Sequence, residues 1–453
     1  MTVAVIKTKA EQQLAEQFGA MATRLPGTGW VAAARNTAFG AFAARGLPSR
    51  RVEEWKYTDL RTLMKEAYAP ATAAPVDAAA IAAALGPDFS KLDCVRLVFV
   101  NGEFSEPLST FDAGRGTTYH IDSLADVLAS GGTDWMKPLL AAAAQNGGAI
   151  DALNAALMTG GVTMRIEEGA EVAKVIHLVF YSASKSAAST AVRNMISVGA
   201  RAKATILESH VHACGEPIQA SAVTEIHIKD GAAVTHVKRV AHGPGGQHLG
   251  KWNVELGRDA HYRGFQFTAD TTLARNEISV TYAGEGSKLD LSGVFLGRGS
   301  DHIDTTLVVN HAVPGCESRE LFAGVLDGRA RGIFQGKIIV QPNAQKSDGK
   351  MMARALMLSP DTEFDSKPEL EIFADDVVCG HGSTAAQLDE DQLFYCMSRG
   401  IPEDEARALL VESFIGEAIA KVEHGGVQQV LAETARTWLK AGAGHGNTAR
   451  GKG

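Results

Sequence analysis

Several short strings in the sequence combine residue types that can do chemistry. In His210-Val211-His212-Ala213-Cys214, two imidazoles and a thiol are spaced i, i+2 and i+4. On a strand those positions share a face, so the three can converge on a metal, which would still need a fourth ligand and orienting hydrogen bonds. The simpler reading is a set of polar residues lining or facing out from a strand-built core. His302-Ile303-Asp304 has the H-x-D spacing of a two-histidine-one-carboxylate iron site, with His311 or His381 available to complete it. Against that stands a chance match within a polar segment. In Cys379-Gly380-His381-Gly382 a thiol and an imidazole stand two residues apart, and the glycines leave room for a metal or a sulfur species. Taken alone, that string reads more simply as a buried cysteine beside a surface histidine. Gly245-Gly246-Gln247-His248-Leu249-Gly250-Lys251-Trp252 falls one residue short of a phosphate-binding loop, because Trp252 stands where a hydroxyl must hold Mg²⁺. The residues after Trp252 have the texture of a strand rather than of a helix N-terminus, so the string is expected to be a solenoid loop. No nucleophile–base–acid set and no paired carboxylates stand out, which leaves covalent hydrolase and β-helix carbohydrate-enzyme readings without support.

The elements that must position these residues change along the chain. Ala10 to Leu25, Trp30 to Arg45 and Trp135 to Met158 carry helix formers with apolar positions three or four apart. Tyr68 to Pro75 reads as a loop, and Val95 to Asn101 as a short strand interrupting the helices. From Val162 the texture shifts to short alternating segments rich in Val, Ile, Thr and His. Similar glycine turns punctuate them at Gly169, Gly199, Gly231, Gly257, Gly286 and Gly328, in steps of 30, 32, 26, 29 and 42 residues. Short strands between recurrent turns predict stacked coils, a parallel β-helix from Val162 to about Glu371, in preference to an antiparallel sandwich. Asp389 to Arg399 and the segment after Pro402 read as helices, the second with an apolar stripe of Ala406, Leu409, Leu410, Phe414 and Ile415. A third helix is expected from Val427 to Leu439. The domain reading is therefore a mostly helical region 1–160, a β core 161–375, a helical region 376–441 and a flexible Gly-rich tail 442–453.

Composition narrows the function classes. At about 150 residues per domain, 453 residues suggest roughly three domains. With 45% hydrophobic and 21% charged residues, the chain has the balance of a globular protein. Its 44 basic and 52 acidic side chains give a net charge of −8, which argues against a nucleic-acid or anionic-membrane surface. No apolar run reaches the roughly 18 residues of a membrane span. Met1-Thr2-Val3-Ala4-Val5 is not a basic leader ahead of an apolar segment, so a cytoplasmic location is expected. Five widely spaced cysteines, Cys94, Cys214, Cys316, Cys379 and Cys396, do not suggest a disulfide framework or a self-contained zinc or iron–sulfur motif.

Longer strings carry a family resemblance. Lys367-Pro368-Glu369-Leu370-Glu371-Ile372, Asp375-Asp376-Val377-Val378-Cys379-Gly380-His381-Gly382-Ser383-Thr384, Asp391-Gln392-Leu393-Phe394-Tyr395 and Ser398-Arg399-Gly400-Ile401 closely resemble the SufB/SufD family of iron–sulfur cluster assembly proteins. Phe334-Gln335-Gly336-Lys337-Ile338 and Gln345-Lys346-Ser347-Asp348 extend the match upstream, and Glu54-Trp55-Lys56-Tyr57-Thr58 is similar to an N-terminal motif of the SufD branch. Glycines flank His381 where the SufB branch is expected to carry an H-E-A string, so the chain resembles the SufD branch. The resemblance implies a mainly β fold, a right-handed parallel β-helix core flanked by N-terminal and C-terminal α-helical domains. It implies a non-catalytic scaffold in a complex of SufB, SufD and two copies of the ATPase SufC, with no nucleotide site of its own. SufB would pair through the β-helix, and SufC would dock on the C-terminal helices, through Leu409, Leu410 and Phe414. His381, as a metal ligand, and Cys379 would face SufB where a transient iron–sulfur cluster or iron is shared. In the absence of SufB, a homodimer and a monomer both stay open. The competing reading is a metal-dependent enzyme, cupin-like or an H-x-D iron oxygenase, which requires His302, Asp304 and another histidine to meet in a closed pocket.

Overall fold

The computed structural model describes residues 7–443 except 73 and 214. Its centre is a two-sided β-solenoid of about eight turns, in which successive strands alternate between a ten-stranded and a nine-stranded sheet. Pairing is parallel along both stacks. Trp252 lies beside Ile278, Ile278 beside Leu307 and Leu307 beside Gly336. Alternation along each strand sends one set of side chains into the lumen, where Trp252, Tyr262, Tyr282, Phe322 and Phe334 form a continuous core.

The corners explain both the regularity and the irregularity of the glycine steps. In seven successive coils the same corner position has a left-handed backbone, filled by Gly169, Arg201, Gly231, Asp259, Gly286, Gly315 and Lys346 with φ between 52° and 73°. At this position the N–H points along the stack, as where Gly231 donates to the Arg258 carbonyl at 2.8 Å and Gly315 to the Gln345 carbonyl at 2.9 Å. Gly199 and Gly257 stand two residues earlier, at positions of close approach: a Cβ on Gly257 would lie 2.6 Å from Asp230 Oδ1. Gly328 belongs to the opposite corner, beside Gly299. The 42-residue step is therefore a change of corner, and the true successor of Gly286 is Gly315, 29 residues on.

The β core is longer than the expected 161–375. It begins at Cys94–Val100, which joins the ten-stranded sheet, and ends at Val378–Ala386, which carries Cys379 and His381. Three strands, not one, interrupt the N-terminal helices: Cys94–Val100, Glu103–Thr110 and Tyr119–Ser123. The first two form a hairpin on Asn101-Gly102, both with positive φ. The expected helix 135–158 breaks at Asn146-Gly147 into Met136–Gln145 and Gly148–Leu157. The string from Gly245 to Trp252 lies within strand Gly243–Leu256, not in a loop. The tail from 444 onward falls outside the described residues.

Helices cover the outer faces of both sheets. The N-terminal set packs on the nine-stranded sheet through Leu153 against Leu249 and Leu273, and through Ala155 and Met158 near Met195. A buried four-charge cluster reinforces this joint. Arg193 bonds Asp151 and, at 2.7 Å, Glu225, while Lys251 lies 3.2 Å from Asp151. The C-terminal helices Glu403–Ile419 and Gly425–Ala443 lie on the ten-stranded sheet. Their buried stripe is Val411, Ile415, Ala418, Leu431 and Trp438 against Val294, Leu296, Val325 and Leu356. This corrects the expected stripe: Ala406 and Ile415 are buried, Leu410 and Phe414 are half-buried, and Leu409 faces solvent. Phe414 lies under the Arg354 guanidinium, 5.3 Å from ring centre.

Candidate functional site

Val378–Ala386 is the last strand of the ten-stranded sheet and is paired on one side only, with Asp348–Met357. Cys379 stands beside Gly349 and His381 beside Met351. The i, i+2 spacing puts both on one face, and Cys379 packs against the lumen core. No further coil covers that face among the described residues, so His381 is exposed and Cys379 half-buried. Burial pushes the Cys379 thiol up from its ordinary range, opposed by a hydrogen bond with the Gly349 backbone. The solenoid's end therefore presents one accessible imidazole and one sheltered thiol. Two ligands do not complete a metal site, and among the described residues no group of three or more His, Cys, Asp and Glu side chains is placed to hold a metal ion. Further ligands would have to come from another molecule.

The other candidate strings have structural partners. His210 is buried, its Nε2 3.1 Å from Glu208 Oε2. The two ring nitrogens of His212 lie 2.9 Å from the Ser182 carbonyl and 2.6 Å from the Glu216 carbonyl, which leaves no lone pair facing a metal. Cys214 is outside the described residues. His302 and Asp304 do not form a ligand triad with His311, which lies at the other end of the same strand, about 30 Å away at ~3.3 Å per residue. His311 Nε2 instead meets Ser318 Oγ at 3.2 Å.

His302 and Asp304 instead receive the N-terminal motif. Thr58 Oγ1 lies 2.9 Å from His302 Nε2 and donates to Asp304, while Arg275 holds the same carboxylate at 2.5 Å. Arg275 and Gln335 both donate to the Glu54 carbonyl, at 2.7 and 3.0 Å, and the Arg275 guanidinium stacks 4.1 Å from the Trp55 ring. Lys367 pairs with Glu53. Burial holds the His302 imidazole down at about 4, so near neutral pH it is the neutral partner of Thr58. Residues 53–58 thus form a clasp across four coils. No sequence signal linked its two halves, which lie more than 200 residues apart.

Comparisons with known proteins agree with this architecture. Residues 180–414 match the family described as SUF system FeS cluster assembly, SufBD core domain, and residues 8–178 match the SufBD protein N-terminal region. An iron–sulfur cluster assembly SufBD family protein of Synechocystis is 29% identical over 399 residues, covering 85% of this chain and 86% of its own length. The iron–sulfur cluster assembly protein SufD of Escherichia coli K12 is 28% identical over 404 residues, covering 85% and 88%. The protein of the same name from Bacillus subtilis is 28% identical over 300 residues, covering 64% and 67%. With both regions matched in order along a solenoid flanked by helices, the chain belongs to the SufBD family of iron–sulfur cluster assembly proteins.

Proposed function

We propose that the chain is a SufD-type scaffold subunit that pairs with SufB through the uncovered end of its solenoid and contributes His381, assisted by Cys379, to a cluster or iron site shared across that junction. The observation that carries the reading is the unpaired edge of Val378–Ala386, which bears both residues. An open parallel edge is a template for another strand. The neighbouring edge, Glu363–Ile372, contains Pro368, which removes a ladder donor. Strand addition is therefore favoured on the Cys379–His381 side. Phe373 and Val378, each 60% exposed, supply apolar surface beside it. SufC would dock on the C-terminal helices. Leu409 is exposed there, and the preceding helix Glu390–Ser398 adds exposed Phe394, Tyr395 and Met397 to the half-buried Leu410 and Phe414.

The test is co-expression with SufB and SufC. His381→Ala should leave the complex assembled and sharply reduce cluster formation, whereas Cys379→Ala should cost less. His210→Ala and His302→Ala serve as controls that leave cluster yield near normal once folding is verified. Cluster formation at the native rate by His381→Ala in an intact complex would make the histidine structural.

A further inference from the structure

The joint between the N-terminal helices and the nine-stranded sheet is not filled. A cavity of about 70 Å³ lies between helix Lys9–Met21, helix Gly148–Leu157, the segment 64–71 and the outer face of strands Ala188–Val198, Ile218–Ile228 and Gly243–Leu256. Among the described residues no Asp, Glu, Lys, Arg or His side chain lines it. The buried charges of the joint stand just beyond. Arg193 and Lys251 lie two residues past the lining residues Ala191 and Leu249, Asp151 lies one past Ile150, and the three bond one another.

The lining is graded from apolar to polar. Leu14, Met64, Ile150, Leu153 and Leu249 are buried members of one packed cluster and form the inner end. Gln17, Tyr68, Ser189, Thr190 and Gln247 are half-buried and form the outer end. A frame of amides fixes that outer end. Gln17 Nε2 donates to the Ala67 and Tyr68 carbonyls, both at 3.1 Å. Gln219 accepts from Tyr68 N and donates to the Glu66 carbonyl, both at 2.8 Å. Two backbone bonds of 2.8 Å, Ser189 N to Ala69 O and Ala71 N to Ser189 O, pin the same segment to the sheet. These amides are occupied by the protein itself. Ser221 differs, because its Oγ accepts from Asn154 Nδ2 at 3.0 Å, which leaves the hydroxyl proton to donate into the cavity that Ser221 lines.

We propose that this cavity binds an uncharged amphiphile, a short aliphatic chain ending in a hydroxyl or carbonyl, seated tail-first with its oxygen on the Ser221 hydroxyl. The lining selects that class. A charged ligand would give up its hydration for walls that offer no counter-charge. Water needs two to four polar partners, which the inner end does not offer, and apolar cavities of that kind stay dry. At ~10–15 Å³ for each water-sized occupant, the 70 Å³ cavity takes a chain of roughly five to seven non-hydrogen atoms. Met21 and Met64, unbranched and adaptable, can repack around its shape. The cavity lies on the sheet that lacks Cys379 and His381, and it stands or falls apart from the cluster reading.

Hexanol, hexanoate and hexylammonium carry one chain under a neutral, a negative and a positive head. With the full chain, hexanol below its denaturing range should raise Tm by about 1 °C, and the two ions at the same concentration should not. In crystals soaked with hexanol, density should run from the Leu153 side chain to Ser221 Oγ. Ala191→Leu fills the cavity from its half-buried floor and should abolish both signals. Ser221→Ala should weaken hexanol severalfold while leaving xenon, which has no head group, bound as before. Should Ala191→Leu fail to fold, the parent soak and Ser221→Ala still decide. The proposal is overturned if the ions bind as well as hexanol, if ordered water fills the inner end, or if hexanol acts equally on Ala191→Leu. Density at crystal concentration without a Tm shift, or neither signal, overturns it too.

Discussion

At Glu320 the solenoid buries a carboxyl near its open end, in the lumenal column that continues through Met351 to His381. Burial raises that carboxyl to about 8, whereas an unfolded glutamate titrates near 4.3. Between those values the folded state keeps a proton that the unfolded state has lost. Stability from this group is full below about pH 4 and falls as pH rises towards 8. Glu320→Gln should therefore stabilise the chain at pH 8 by about 2 kcal/mol or more and change little at pH 4, as read by urea denaturation at the two pH values. No local string announces Glu320, because its consequence depends on burial. Cys379 and His381 drew attention in the sequence because both lie inside the long family-like string Asp375 to Thr384. The lumenal row in which Glu208 faces His210 at 3.1 Å and His236 at 2.9 Å was legible only in part. Glu208 and His210, like His236 and Lys238, are polar pairs at i, i+2 on otherwise apolar strands, but their meeting depends on a register no single segment contains.

Among the elements, periodicity was readable because every coil must turn twice, whereas the identity of each turn was not. The left-handed corner position accepts Arg201, Asp259 and Lys346 as well as glycine, so counting glycines mixed two corners and a close-approach position. The C-terminal stripe failed for a related reason. Helix Glu403–Ile419 packs against the ten-stranded sheet as well as against helix Gly425–Ala443, which brings Val411 and Ala418 inward and leaves Leu409 outside. The hairpin at Asn101-Gly102 carried a clear turn signal within a region that otherwise read as helical. The clasp makes its own prediction. Trp55→Ala removes a ring that is 94% buried under Arg275, and should cost about 3 kcal/mol. Limited proteolysis should then cut earliest near residues 46–60, while the solenoid core resists. Uniform loss of protection along the chain would mean that the clasp is part of the core's own folding unit.

Across the whole molecule, the N-terminal end of the stack passes into antiparallel strands, and among the described residues no strand pairs beyond Val378–Ala386 at the other end. If the proposed pairing with SufB uses that open end, charges placed there should act on assembly rather than on folding. Phe373→Glu with Val378→Lys is expected to lower SufB co-purification severalfold while leaving the thermal transition of the isolated chain within about 2 °C. Cooperative unfolding of the isolated variant at a much lower temperature would place these residues in the fold instead. The clasp also has a consequence for synthesis. Thr58 meets Asp304, and Glu54 meets Gln335, 246 and 281 residues further along. At roughly 5–20 residues per second, a ribosome needs about 10–60 s to deliver the receiving coils. Throughout that interval Trp55 has no seat, and the nascent chain displays an aromatic anchor that only its own distant half can take up. Stalled chains ending before residue 300 should therefore bind a chaperone through residues 54–58, and chains extended past residue 340 should release it.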